Sequence, residues 1–310
     1  MKNKDGNFVS AIIYVHRGNS NTECFLEMIN RVFASNFRRY EIICINDEAD
    51  EAANESIRVF KKRHEDVIIS IIHMGFQHGL EAAMNAGVDL SIGDFVFEFD
   101  STYIDYEEKL IMDVYGKVLE GYDIVSAVPP ALGSKMTSRI FYSIYNHFSD
   151  AEYDLQTERF RIISRRAVNR VSAYGKTIPY RKAVYNSSGL EVAGIQYETT
   201  GKKDGLKYED TKRCNTALDA LVIFTSFAYK FSMFLSVAMA VFMIISGFYT
   251  GVAYFGQNKP VEGWAPIMGL ISLGFFSIFT VLTIIIKYLD ILLRFVFKKQ
   301  KYLISSIEKL

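Results

Sequence analysis

Cysteine is scarce and scattered in this chain: Cys24, Cys44 and Cys214 lie far apart. That spacing suits neither a metal site nor a disulfide framework and fits a reducing compartment. No charge of one sign prevails, since 35 basic residues face 35 acidic ones. This removes any bulk electrostatic case for nucleic acid as a partner. The opening residues, MKNKDGNF, lack an apolar signal-peptide core, so the first domain is expected to stay in the cytosol. Neither GxGxxG nor GxxxxGK followed by Ser or Thr occurs, so a nucleotide would have to be held without the two commonest phosphate-cradling loops. The histidines show no metal-ligand spacing either.

What is present is an alternation of two periodicities. Phe8–Val15, Tyr40–Ile45, Val67–Ile72, Phe95–Phe99 and Asp123–Val128 are short runs rich in β-branched and aromatic residues and read as strands. Between them, about Glu23–Ala34, Asp50–His64, Gln77–Asp89 and Glu107–Glu120 read as helices. Phe25, Met28, Ile29 and Val32 form one apolar face, and Leu80, Ala83, Met84 and Val88 another. Strands and helices alternating at this spacing imply crossovers and a mostly parallel sheet covered on both faces. Further on, Ser134–Phe148 is amphipathic, Arg159–Val171 reads as a strand and a basic helix, and Gln196–Thr200 as a strand entering a Gly- and Lys-rich loop. In such sheets ligands bind beyond the carboxyl ends of the strands. The stretch DFVFEFDSTYID, Asp94–Asp105, therefore places Asp100 at the lip of a crevice.

The chemistry of the chain changes near Lys230. Phe231 to Asn258 and Gly263 to Ile286 contain no charged residue, and each run exceeds the roughly 20 residues that cross a bilayer core. Lysines and arginines flank both outer ends, which predicts a two-helix hairpin with both termini cytosolic. Tyr254 and Trp264 suit the far interface. The expected organisation is a head over 1–210, a juxtamembrane amphipathic helix over 211–230, the hairpin over 231–287, and a basic amphipathic tail over 288–310 lying on the inner membrane surface.

The order of these parts resembles family 2 glycosyltransferases with a GT-A fold, and more narrowly the polyprenyl-phosphate glycosyltransferases. The anchors are FVSAIIYV, YEIICIND, EGYDIVSAV, FRIISRRAV and above all Gly75–Asp100, GFQHGLEAAMNAGVDLSIGDFVFEFD. The resemblance implies transfer, with inversion, of a sugar from a nucleotide-sugar donor to a polyprenyl phosphate at the cytosolic face of the inner membrane. It implies a Mg²⁺ or Mn²⁺ ion at Asp100 and nucleotide contacts from Asn46, Asp47 and Asp100. Asp105 and Glu158 are the implied catalytic acids, and Arg161, Arg165, Lys203, Lys207 and Tyr208 the contacts to phosphate or acceptor. A second copy or a flippase is an implied partner. Where the resembling family has two acids, a close-approach glycine and an acid before FR, this chain has Thr102 as the second metal-motif residue, Glu48 and Arg159. These departures keep a second reading open, a non-catalytic scaffold or regulator of glycan assembly.

Overall fold

The computed structural model describes residues 4–16, 21–48, 51–130, 136–149, 153–174, 180–200, 264–296 and 302–310, with isolated positions between 221 and 248. Two compact units divide the chain. One comprises Met1–Asn146, Asp150–Ala217 and Gln300–Leu310, and the other His147–Ser149 and Leu218–Lys299.

The larger unit is built on one eight-stranded sheet. Its strands are β1 (Asp5–His16), β2 (Phe37–Asp47), β3 (Ile68–Met74), β4 (Phe95–Phe99), β5 (Ile124–Val128), β6 (Phe160–Ser164), β7 (Val192–Gln196) and β8 (Ile304–Lys309). They lie in the order β7-β5-β6-β4-β1-β2-β3-β8. The β3-β2-β1-β4 centre is parallel, as the crossovers require. Strand β6 runs antiparallel to both β4 and β5.

Helices α1 (Thr22–Asn36), α2 (Glu51–Arg63), α3 (Leu80–Leu90) and α4 (Lys109–Leu119) are the crossovers. Beyond them come α5 (Met136–Phe148), α6 (Arg165–Tyr174) and α7 (Arg181–Asn186). The period-2 geometry of β1 divides the core in two. Val9, Ala11, Ile13 and Val15 join residues of α1, α2 and α4 such as Phe25, Ile57 and Val114. On the opposite face Ile12 and Ile45 meet α3 so closely that a Cβ on Gly87 would lie 2.4 Å from Ile12 and 2.6 Å from Ile45. Edge-to-face rings tie α1 to the central strand, with Phe25 and Phe99 centroids 5.2 Å apart.

Two expectations need correcting. The strand expected at Gln196–Thr200 lies earlier, at Val192–Gln196, where it pairs in parallel with β5. Its interior Gly194 leaves room for Val128, and that glycine obscured the strand pattern. The C-terminal tail, expected to lie on a membrane surface, instead returns to the sheet as β8, antiparallel to β3. An exposed β3 edge would leave a row of unpaired N–H and C=O groups. Here β8 satisfies them, and Glu308 meets Arg58 at 3.2 Å and His73 at 3.3 Å.

In the smaller unit, α8 (Trp264–Val296) is one helix of 33 residues. Ile267, Ile271, Phe275, Ile278, Leu282, Ile285, Leu289 and Leu292 are exposed along it at three- and four-residue spacing. Among the described residues no helix is long and apolar enough to cross a membrane. The first charge-free run and the juxtamembrane segment lie largely outside the described residues.

Candidate active site

The sheet brings charge to the carboxyl end of β4. Glu98 and Asp100 are two residues apart and share a face of the strand, and the antiparallel register sets Arg161 of β6 opposite Glu98. Arg161 Nη2 donates to Asp100 Oδ2 at 2.9 Å. Its Nη1 stands 3.2 Å from Glu98 Oε2, and its Nε 2.9 Å from Glu158 Oε2. The contact to Glu158 is close in distance but not aligned as a hydrogen bond.

A second guanidinium closes the other side. Arg181 opens α7 and is fully buried. It donates from Nη1 to Glu98 Oε2 at 2.7 Å, from Nη2 to Asp100 Oδ1 at 2.9 Å, and from Nε to Glu81 Oε2 at 3.0 Å. The Tyr185 hydroxyl donates to the remaining Glu98 oxygen at 2.8 Å. Burial pushes the Asp100 carboxyl up, but the charges of Arg161, Arg181 and Lys182 outweigh it and hold the group down at about 2. Arg181 was not among the residues expected from sequence. The available signal was Glu98 itself, an acid inside the apolar strand FVFEF. A buried carboxylate demands a cation, yet nothing in the sequence says which one.

The other expected residues separate into distinct surroundings. Asp47 is fully buried. It accepts from the Tyr14 hydroxyl at 2.9 Å and from the backbone N–H groups of His78 and Gly79 at 2.8 Å each, anchoring the turn into α3. Asn46 donates to Asn54 at 2.9 Å. Through these bonds both residues hold the scaffold at the carboxyl end of β2. Asp105 is buried and gripped by Arg159, with Tyr197 donating to the same carboxylate at 2.9 Å. The arginine that replaces the resembling family's acid thus pairs with Asp105. Glu158 lies nearer the cluster, 3.8 Å from the ammonium of Lys182.

Arg165 is a correction. Its backbone N–H bonds to Asp94 O, at the amino end of β4 and six residues before Asp100, about 20 Å away at ~3.3 Å per residue. Its guanidinium donates to Gly93 O at 2.8 and 2.6 Å. It locks a turn and does not reach the site. Lys203, Lys207 and Tyr208 lie outside the described residues. His78, given no role from sequence, stacks on Phe76 with centroids 3.9 Å apart and accepts the Leu303 N–H at 3.0 Å. The C-terminal segment is thereby fastened to the same turn that Asp47 holds.

The implied divalent metal does not fit these residues. A hard cation needs oxygen ligands with lone pairs available. Both Asp100 oxygens accept from guanidinium groups, and Thr102, in the second position, is neutral and buried. Among the described residues no three His, Cys, Asp or Glu side chains are grouped to hold a metal ion.

The family model described as Glycosyl transferase family 2 matches residues 10–186, more than half of the chain. The chain belongs to glycosyl transferase family 2. An uncharacterized glycosyltransferase of Synechocystis sp. is 25% identical over 96% of this chain and 95% of its own length. A bactoprenol glucosyl transferase of Shigella phage SfX is 22% identical over 76% of this chain and 78% of its own. Among solved structures, a mannosyltransferase of Pyrobaculum calidifontis in complex with GDP-Man and Mn²⁺ superposes with a TM-score of 0.50 at 11% identity. It covers 90% of this chain and 88% of that one. That likeness concerns the fold, a GT-A-like, mostly parallel α/β sheet.

Proposed function

We propose that this glycosyltransferase moves a sugar from a nucleotide-sugar to the phosphate of a polyprenyl phosphate, at the cytosolic face of a membrane that its C-terminal apolar segments enter. The observation that carries the reading is the pairing of the family 2 head with the apolar segments that follow it. A bactoprenol glucosyl transferase of Shigella phage SfX, matched over about three quarters of each chain, supports the lipid acceptor. The exposed apolar stripe along α8 and the uncharged run Phe231–Asn258 support the membrane part. Two runs of this length would bring a lipid headgroup and a soluble donor to one surface, which lowers the entropic barrier to their meeting.

The reaction fits a site without an available base. An oxygen of the acceptor phosphate attacks the anomeric carbon while the bond from that carbon to the donor diphosphate breaks, and the electron pair leaves with the nucleoside diphosphate. The attacking phosphate is already an anion near neutral pH, so no proton has to be removed from it. The difficulty lies in stabilising charge on the leaving diphosphate, which is work for fixed cations. Lys182, whose ammonium is only loosely engaged with Glu158, is the cluster cation placed to do this. Arg161 orients the carboxylates around it.

The second reading, a non-catalytic scaffold, draws support from the capture of Asp105 by Arg159 and of Asp100 by two arginines. One assay separates the two. Purified protein in detergent is given labelled UDP- or GDP-sugar with a polyprenyl phosphate, and the organic phase is counted. Lipid-linked sugar that forms only with the phosphorylated lipid is the expected result. Labelled product on a water-soluble acceptor alone would sink the lipid assignment, and no nucleotide binding at all by folded protein would favour the scaffold.

A further inference from the structure

We propose that Arg181 stands where a divalent cation would otherwise be needed, so that donor binding by this chain does not depend on a metal. The inference rests on the nucleotide-sugar reading above. Glu98 and Asp100 make a Glu-x-Asp pair on one face of β4, at the strand end where a nucleotide is bound in sheets of this kind. Two carboxylates at that spacing invite a divalent ion. Instead, the two Nη groups of Arg181 span the pair, Nη1 on Glu98 at 2.7 Å and Nη2 on Asp100 at 2.9 Å. A planar guanidinium matches two acceptors through its rigid fork and remains charged at any working pH.

The rest of the cluster leaves little for a metal to bind. Arg161 takes the other Asp100 oxygen, Tyr185 the other Glu98 oxygen, and Glu81 receives both the Nε and the backbone N–H of Arg181. A divalent ion at Asp100 would lie against two buried guanidinium groups and close to Lys182, which Coulomb repulsion opposes strongly where solvent is excluded. Thr102 offers no anionic oxygen to offset that repulsion. Arg181 is therefore a positioning residue. Its fixed charge and that of Arg161 together balance Glu98 and Asp100, and the next residue, Lys182, is left to face the diphosphate.

The full-length protein in detergent tests this by two measurements. In the first, Mn²⁺ alone is titrated and followed by its electron paramagnetic resonance signal. No site tighter than about 1 mM that disappears in Asp100→Asn is the expected result, and such a site would overturn the proposal. In the second, UDP and GDP are titrated calorimetrically in EDTA and again in excess Mn²⁺. Affinities agreeing within about twofold support the proposal. A loss of about tenfold or more in EDTA, or about 1.4 kcal/mol, refutes it. If neither nucleotide binds under either condition, the proposed function falls, and the Mn²⁺ titration still decides whether Arg181 excludes a metal.

Discussion

At the carboxyl end of β4, Arg161 and Arg181 gather the carboxylates of Glu81, Glu98, Asp100 and Glu158. At the amino end of the same strand Arg165 binds no carboxylate among the described residues. It donates to the Gly93 carbonyl and, at 3.3 Å, to the Ser91 hydroxyl. Arg161 and Arg165 are four residues apart in FRIISRR, and both match one motif of the resembling family. Because β6 runs antiparallel to β4, every residue after Arg161 moves the chain away from the crevice. One arginine joins the acidic cluster and the other fastens a turn. Position along the strand, not residue type, assigns the role. The turn itself is tight, since a Cβ on Gly93 would lie 2.6 Å from Ser10 Oγ and 2.7 Å from Ser10 N. Gly93 N–H also donates to Ser10 Oγ at 2.9 Å, and Ser10 in turn donates to the buried Glu41.

The largest effect that would sharpen this contrast is expected from Arg181→Leu. Removing Arg181 leaves buried Glu98 with Arg161 alone as its cation, and the cost is about 3–5 kcal/mol. Urea unfolding should show it, and Arg181→Leu combined with Glu98→Leu should recover most of the loss. A single variant as stable as the parent would mean that Glu98 does not need this cation.

At the other end, Gly93→Ala forces backbone atoms apart and should cost about 1–3 kcal/mol by the same measurement, while nucleotide affinity in the surviving folded protein stays unchanged. Arg165→Met should lose about 1–2 kcal/mol of stability from its hydrogen bonds. It should likewise leave calorimetric nucleotide binding alone. A selective loss of binding in Arg165→Met would break the comparison.

Acid unfolding separates the two ends again. The folded Asp100 carboxyl is held down at about 2, against 3.8 for an ordinary aspartate. It therefore contributes stability above about pH 4 that disappears as pH falls from there towards 2, on the order of 2 kcal/mol. Asp100→Asn should flatten the difference between urea midpoints at pH 6 and pH 3, and an unchanged acid limb would deny Asp100 its paired state.

The smallest expected effect is a gain. Glu48 has φ 60°, a left-handed conformation that costs an L side chain and suits glycine. Glu48→Gly should raise stability by about 0.5–1 kcal/mol in thermal melts, and a loss would show that the Glu48 side chain holds the loop.

Most of the scaffold was legible because it depends on local pattern. The β-branched and aromatic run at Phe8–Val15 and the three- and four-residue spacing of Phe25, Met28, Ile29 and Val32 need only a covered sheet to become strand and helix, and Val9–Val15 and those four helix side chains are buried. Two short elements were not legible. Helix α7 has six residues, too few for a periodic signal. In β8, ISSIEK fits a surface helix as readily as an edge strand until an unpaired β3 edge is available to receive it.

The site divides along the same line. Sequence determined that this chain carries a family 2 glycosyltransferase head followed by long uncharged segments, because spacing and hydropathy are local properties of the chain. It also marked Asp100 and Arg161 as site residues, since both lie in recognisable motifs. Only the tertiary structure decided that Asp47 faces inward, that Arg159 takes Asp105, that Arg165 serves the far end of the strand, and that Arg181 closes over Glu98 and Asp100. The reason is Coulombic. A buried carboxylate takes whichever cation the fold brings within about 3 Å of it, and residues 83 and 81 positions apart become neighbours only when the sheet forms.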